Sequence, residues 1–161
     1  MRLALCICPQ WSVQTPSFAI GSLKSHINNK DVVVEQIDLN ILSSIHTKEK
    51  NIEKFWDWGN DKPWNSEANF QTDILPHFKD LWHEYIDELS TYDVVAFTTY
   101  TSNIITTDYI ARYLKQKNKN IQIWYGGPYS WYSESGGLVE KDNYREFVDI
   151  ACGSGDGEKI I

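Results

Sequence analysis

Between Tyr92 and Ser130 the chain reads as two short apolar runs joined by a segment of helical period. The first, residues 92–98 (YDVVAFT), ends in a polar stretch of Thr98, Thr99, Tyr100, Thr101, Ser102 and Asn103. The second, residues 121–125 (IQIWY), ends in Gly126, Gly127, Pro128, Tyr129 and Ser130. Strand, crossover helix and strand in that order make one unit of a parallel sheet. Ligands of open sheets of this kind sit outside the carboxyl ends of the strands. Function is therefore expected in residues 98–103 and 126–130.

The flanking sequence repeats the unit. Residues 3–8 (LALCIC) have the length and apolarity of a buried strand, broken by Pro9. Thr15 and Pro16 predict a helix start, with Ile20, Leu23 and Ile27 on one face and an end at Asn28, Asn29 and Lys30. Residues 32–38 (VVVEQID) form a second strand, parallel to the first and reached by a right-handed crossover. Ile74, Phe78, Leu81, Trp82, Tyr85, Ile86 and Leu89 give the clearest helical stripe, with Pro76 in its first turn. After the third strand (94–99), Thr101, Ser102 or Asn103 can cap a helix whose buried side would include Ile105, Tyr109 and Leu114. The fourth strand is 121–125 and the fifth 147–152. The expected architecture is α/β: an open, parallel, five-stranded sheet in the order 2-1-3-4-5, with helices on both faces.

Composition narrows the partners. The 161 residues make one domain able to bury its own core. A formal charge of -7 and a pI near 5.0 leave no basic stripe for nucleic acid. No apolar run approaches the ~20 residues of a membrane span. Cys6, Cys8 and Cys152 cannot all pair, and two fall in a buried strand, so a reduced, cytoplasmic setting is expected.

The aromatic-rich stretch from about 43 to 72 holds Phe55, Trp56, Trp58, Trp64 and Phe70 among polar residues. Such a stretch is no disordered linker. It reads either as an insertion packing its aromatics on the sheet edge or as a lid or docking surface. His77 and His83 lie off the helical stripe and are six apart, which is no ligand pair on one helix face.

The loops offer binding chemistry without catalytic machinery. Gly126 and Gly127 remove two side chains where a strand leaves the sheet, which suits either a ligand lying against backbone or a tight turn before Pro128. Thr98, Thr99, Thr101 and Ser102 offer hydroxyls and free amides at a helix start, or simply fill a strand end. No Gly-x-Gly-x-x-Gly follows the first strand and no Gly-Lys-Ser/Thr occurs, so nicotinamide and nucleoside-triphosphate loops are missing. Neither a nucleophile with an evident base nor a zinc ligand set is apparent.

Taken together, the proline loop after strand one, Asp38-Leu39-Asn40, the 92–98 strand with Tyr100, Thr101, Ser102 and Asn103, Gly126-Gly127-Pro128 and Gly155-Asp156-Gly157-Glu158 resemble the N-terminal cobalamin-binding domain of cobalamin-dependent radical S-adenosylmethionine enzymes. The resemblance covers nearly the whole chain outside the 43–72 stretch. It implies a flavodoxin-like (Rossmann-like) domain holding the corrin at the carboxyl ends of its strands. Thr98, Tyr100, Thr101 and Asn103 would line the corrin or its nucleotide tail, and Gly126, Gly127 and Pro128 would let the tail lie against the strand. Gly155 and Glu158 belong to the same implied site, and Gln10, Trp11 and Tyr100 are the candidates for the position beneath the cobalt.

Two departures qualify the resemblance. The Asp-x-His-x-x-Gly of classical cobalamin domains is replaced by Pro9, Gln10, Trp11, Ser12, Val13 and Gln14, so cobalamin is expected in a histidine-off mode. The Cys-x-x-x-Cys-x-x-Cys of a radical domain is absent. The expectation is a fragment of a longer enzyme, whose S-adenosylmethionine, iron–sulfur cluster and methyltransferase-like chemistry lie in a downstream radical domain of the same polypeptide. Two rivals remain: a receiver-like or flavodoxin-like regulatory or interaction domain without corrin, for which Asp38 is suitably placed, and a docking domain using the tryptophans of the insertion.

Overall fold

The structure, a computed structural model, describes residues 1–14, 17–27, 29–56, 62–131 and 146–152. Five strands, β1 (Arg2–Ile7), β2 (Val33–Asp38), β3 (Val94–Thr98), β4 (Gln122–Gly126) and β5 (Ile150–Ala151), pair in parallel in the order β2-β1-β3-β4-β5. The helices are α1 (Phe18–His26), α2 (Leu39–Glu49), α3 (Glu67–Asn69), α4 (Leu75–Leu89), α5 (Ile104–Lys117) and α6 (Pro128–Trp131). A 3-10 turn, Glu53–Trp56, follows α2, and a π-helical turn, Phe70–Ile74, joins α3 to α4. The expected sheet order and flavodoxin-like α/β architecture are therefore present.

Alternation along β1 divides the core. Leu3, Leu5 and Ile7 pack with Ile20 of α1 and Val94, whereas Ala4, Cys6 and Cys8 face the larger cluster built by α2, α4 and α5. Both faces of β1 are buried, which is why its run is continuously apolar. The fifth strand is shorter than the expected 147–152, while β1 and β3 each stop one residue before the expected strand ends at 8 and 99.

Helix α1 starts at Phe18 with Ser17 in the capping position; the Thr15–Pro16 start lies outside the described residues. The buried face of α5 is Ile104, Thr106, Thr107, Ile110, Ala111 and Leu114, with Ile105 and Tyr109 only half-buried. Of the three expected there, only Leu114 is fully inside. Threonine and alanine side chains carry little apolar signal yet fill this face, and the larger Tyr109 lies against Trp82 of α4.

Much of the aromatic-rich stretch is core. Trp64 and Phe70 are fully buried, and Trp56 and Phe55 pack against the same cluster. Phe70 and Phe78 stack on Trp82 with ring centroids 5.9 and 5.2 Å away. The two buried indoles are satisfied: Trp64 Nε1 donates to the Phe55 carbonyl at 2.8 Å and Trp82 Nε1 to Ser43 Oγ at 2.9 Å. Burying each such ring contributes about 1.5–3 kcal/mol. Trp58 lies outside the described residues. Burial of Trp64 and partial burial of Trp56 remove much of the basis for an aromatic docking surface.

Candidate functional site at the carboxyl edge of the sheet

The strand registers set four residues in one row. Ile7 is level with Asp38 on one side and with Thr98 on the other, and Thr98 is level with Gly126. The order β2-β1-β3 places the topological switch between β1 and β3, so the loops leaving Ile7 and Thr98 flank the crevice.

Those loops are tied together by buried amides. The Asn103 side chain, fully buried, donates from Nδ2 to the Cys8 carbonyl at 3.3 Å and to the Thr98 carbonyl at 3.0 Å, and its Oδ1 accepts the Tyr100 N–H at 2.8 Å. It sits at the capping position of α5 but makes no side-chain cap there. Asn103 is therefore a bracket between loops, and the first-turn amides of α5 are left uncapped by it. Ser102 Oγ donates to the Gln10 carbonyl at 2.8 Å, adding a second tie. Gln10 itself is 3 % exposed.

Trp11 and Tyr100 bring the two loops into contact above the row. Their rings stack with centroids 4.1 Å apart and planes at 15°. The Trp11 N–H donates to Asn40 Oδ1 at 2.8 Å, and Asn40 Nδ2 donates to the Ser12 carbonyl at 3.3 Å. Asn40, buried at the start of α2, is a positioning residue that the sequence reading named only as part of the strand-two motif. The signal for it was a polar residue two positions after the end of β2, in the first turn of α2.

On the β4 side the two glycines differ. A Cβ on Gly127 would lie 2.7 Å from the Thr99 carbonyl oxygen and 3.0 Å from its nitrogen, and φ is +99°. Gly127 is required by backbone packing. A Cβ on Gly126 would meet only Cys152 Cβ, at 3.9 Å. The Gly126 carbonyl accepts both the Thr99 N–H at 2.7 Å and the Thr99 hydroxyl at 2.8 Å. Ser130, fully buried, directs its hydroxyl to the carbonyls of Gly127 and Cys152 at 2.7 and 2.9 Å; its role was not anticipated.

Of the sequence-derived site residues, Trp11, Tyr100, Gly126 and Gly127 are partly exposed, and Thr101 and Pro128 are exposed. Thr98, Gln10 and Asn103 are buried. Gly155 and Glu158 lie outside the described residues. The sheet thus brings the β1, β3 and β4 loops to one edge, with an aromatic pair over the switch and an open glycine position beside it.

Electrostatics add two points. Burial pushes the Asp38 carboxyl up, opposed by backbone N–H groups of Ile41, Asn40 and Ser17, and its Oδ1 caps α2 by accepting the Ile41 N–H at 2.8 Å. All four histidines of the chain are placed: His26 on α1, His46 on α2, and His77 and His83 on α4. None is in the loops after β1, β3 or β4. Among the described residues no group of three or more His, Cys, Asp or Glu side chains could hold a metal ion, and no helix is long and apolar enough to cross a membrane.

No protein-family model, curated protein or solved structure matches the chain.

Proposed function

We propose that this chain is a cobalamin-binding module of the radical S-adenosylmethionine type, holding the corrin at the carboxyl ends of its strands in a histidine-off mode. The observation that carries the reading is Gly126, a strand-end position in the row beside the switch where an added Cβ would meet only Cys152. It is the kind of cradle that lets a large, flat group lie against backbone. Thr98, Gln10 and Asn103 are buried and support the loops rather than face a ligand, while two other features agree with the group. The Thr101 hydroxyl is exposed for the corrin amides, and the first turn of α5 has no side-chain cap from Asn103. Placement of every histidine outside the three loops supports a cobalt without a histidine from this chain.

Cobalamin, when bound, supplies the group-carrying chemistry, and the chain's own residues bind and orient it. The resemblance assigns the reaction itself to a radical domain with its iron–sulfur cluster. Buried, unpaired Cys6 and Cys8 suit a reducing cytoplasmic setting. A receiver-like role would need the Asp38 carboxylate for a cation or phosphoryl group, whereas here it caps α2.

Gly126→Val tests the reading, since a β-branched residue suits a strand. The variant is expected to keep its far-ultraviolet circular dichroism and lose at least tenfold in hydroxocobalamin affinity by visible titration. Unchanged affinity in the folded variant would sink the cradle.

A further inference from the structure

We infer that the cleft between the end of α2 and the face of α4 opposite it binds a linear aliphatic polyamine. The cleft has a volume of about 570 Å³, within the range of small-molecule sites. His46 and Glu49 form one wall and His77, Asp80 and Glu84 the other, while Ile52 and Leu81 add half-buried apolar surface. No residue of the lining belongs to the loops after β1, β3 or β4. The site is therefore separate from the carboxyl edge of the sheet, and it does not depend on cobalamin.

Helical spacing puts these side chains on shared faces. His46, Glu49 and Lys50 stand at i, i+3 and i+4 at the end of α2, and His77, Asp80, Leu81 and Glu84 at i, i+3, i+4 and i+7 on α4. The walls are joined by His46, whose Nε2–H donates to the His77 carbonyl at 3.1 Å. That bond crosses from one helix to the other and holds the cleft at a set width.

The charges around the cleft break local rules. Glu49 is the last residue of α2, where the negative end of the helix dipole disfavours a carboxylate. Asp80 and Glu84 are like charges at i, i+4, about 6 Å apart along the helix axis. None of the three makes an ion pair among the described residues, and Lys50, the one ammonium of the lining, pairs with none of them. Such local conflicts gathered around one cleft point to a cationic ligand that relieves them. A metal ion is the wrong shape for it, since among the described residues no group of three or more His, Cys, Asp or Glu side chains could hold one. Ammonium groups set apart on an apolar stem suit carboxylates on two walls, with the methylenes lying on Ile52 and Leu81. One exposed ion pair contributes little, so affinity depends on several ammonium groups engaging at once.

The test titrates spermidine into the 161-residue chain by isothermal titration calorimetry at about 0.15 M salt, where attraction to distant charge is screened. Saturable binding is expected, with butylamine, which carries a single ammonium, at least tenfold weaker. Asp80→Asn combined with Glu84→Gln is expected to lose at least tenfold. Glu49→Gln, on the other wall, is expected to lose at least threefold and carries the test should the α4 variant fail to fold. Asp31→Asn combined with Glu67→Gln removes the same charge elsewhere and should change affinity less than twofold. Absence of saturable binding to the wild type, or equal losses in the cleft and control variants, overturns the site. A trilysine peptide that saturates where spermidine does not overturns the polyamine in favour of a basic peptide.

Discussion

Gly127 lies against the peptide of Thr99 so closely that a Cβ there would stand 2.7 Å from the Thr99 carbonyl oxygen, at a backbone φ of +99°. Its neighbour Gly126 has ordinary space, with Cys152 Cβ at 3.9 Å. Gly127→Ala is therefore expected to destabilise the fold by about 1–3 kcal/mol through strain at a left-handed position. Gly126→Ala should change stability by less than about 1 kcal/mol, because alanine removes glycine's excess freedom within a strand. Urea denaturation of the two variants checks the contrast, and equal midpoints would contradict it.

Asn103 holds three backbone groups with one buried amide. Replacing it with leucine leaves the Cys8 and Thr98 carbonyls and the Tyr100 N–H to find other partners, at a cost of about 2–4 kcal/mol. Because those groups belong to both flanking loops, the variant should also broaden or shift Trp11 and Tyr100 resonances by nuclear magnetic resonance. A stability loss confined to α5 would argue against the bracket.

The strand order was legible because each buried strand announces itself as a short apolar run and each crossover as a helical period. The functional meaning of single residues was less so. Gly126 and Gly127 are identical in sequence, and only the fold shows that one is filled by the Thr99 peptide and the other is open. The buried face of α5 was misplaced around Ile105 and Tyr109 because Thr106, Thr107 and Ala111 carry little apolar signal yet are fully inside. Asn103 looked like a helix cap, the commonest use of asparagine at that place, and its inward turn depends on the Cys8 carbonyl, 95 residues away in sequence.

Trp82 and Ser43 join α4 to α2 through one hydrogen bond inside the aromatic cluster. Ser43→Ala strands a buried indole N–H and is expected to cost about 1–3 kcal/mol. Trp82→Phe keeps most of the ring contacts and should cost less than Trp82→Ala, for which about 3–5 kcal/mol is expected. A double-mutant cycle of Ser43→Ala with Trp82→Phe should be non-additive, since either change removes the same bond.

Tyr92 donates its hydroxyl to Glu35 at the amino end of the sheet, with the Arg2 guanidinium 4.2 Å above its ring. Burial, then the Glu35 carboxylate, push the Tyr92 phenol up to about 12. The Tyr92 hydroxyl is the main cause holding Glu35 below the usual carboxylate range. For the phenol, the folded value exceeds the unfolded one, so its contribution is complete below pH 10.0 and is lost as pH rises through about 12. For Glu35 the sign reverses: its contribution is present above pH 4.5 and is lost as pH falls through the depressed folded value. Tyr92→Phe should remove one late-titrating phenol from the ultraviolet titration and raise the Glu35 midpoint seen by nuclear magnetic resonance. An unmoved Glu35 would contradict the pairing.

The central claim is most directly tested by mixing the purified chain with hydroxocobalamin, passing it through a desalting column and recording the visible spectrum of the protein fraction. Retained corrin with the spectrum of a displaced benzimidazole is the predicted result. A colourless protein fraction at saturating hydroxocobalamin would contradict the account.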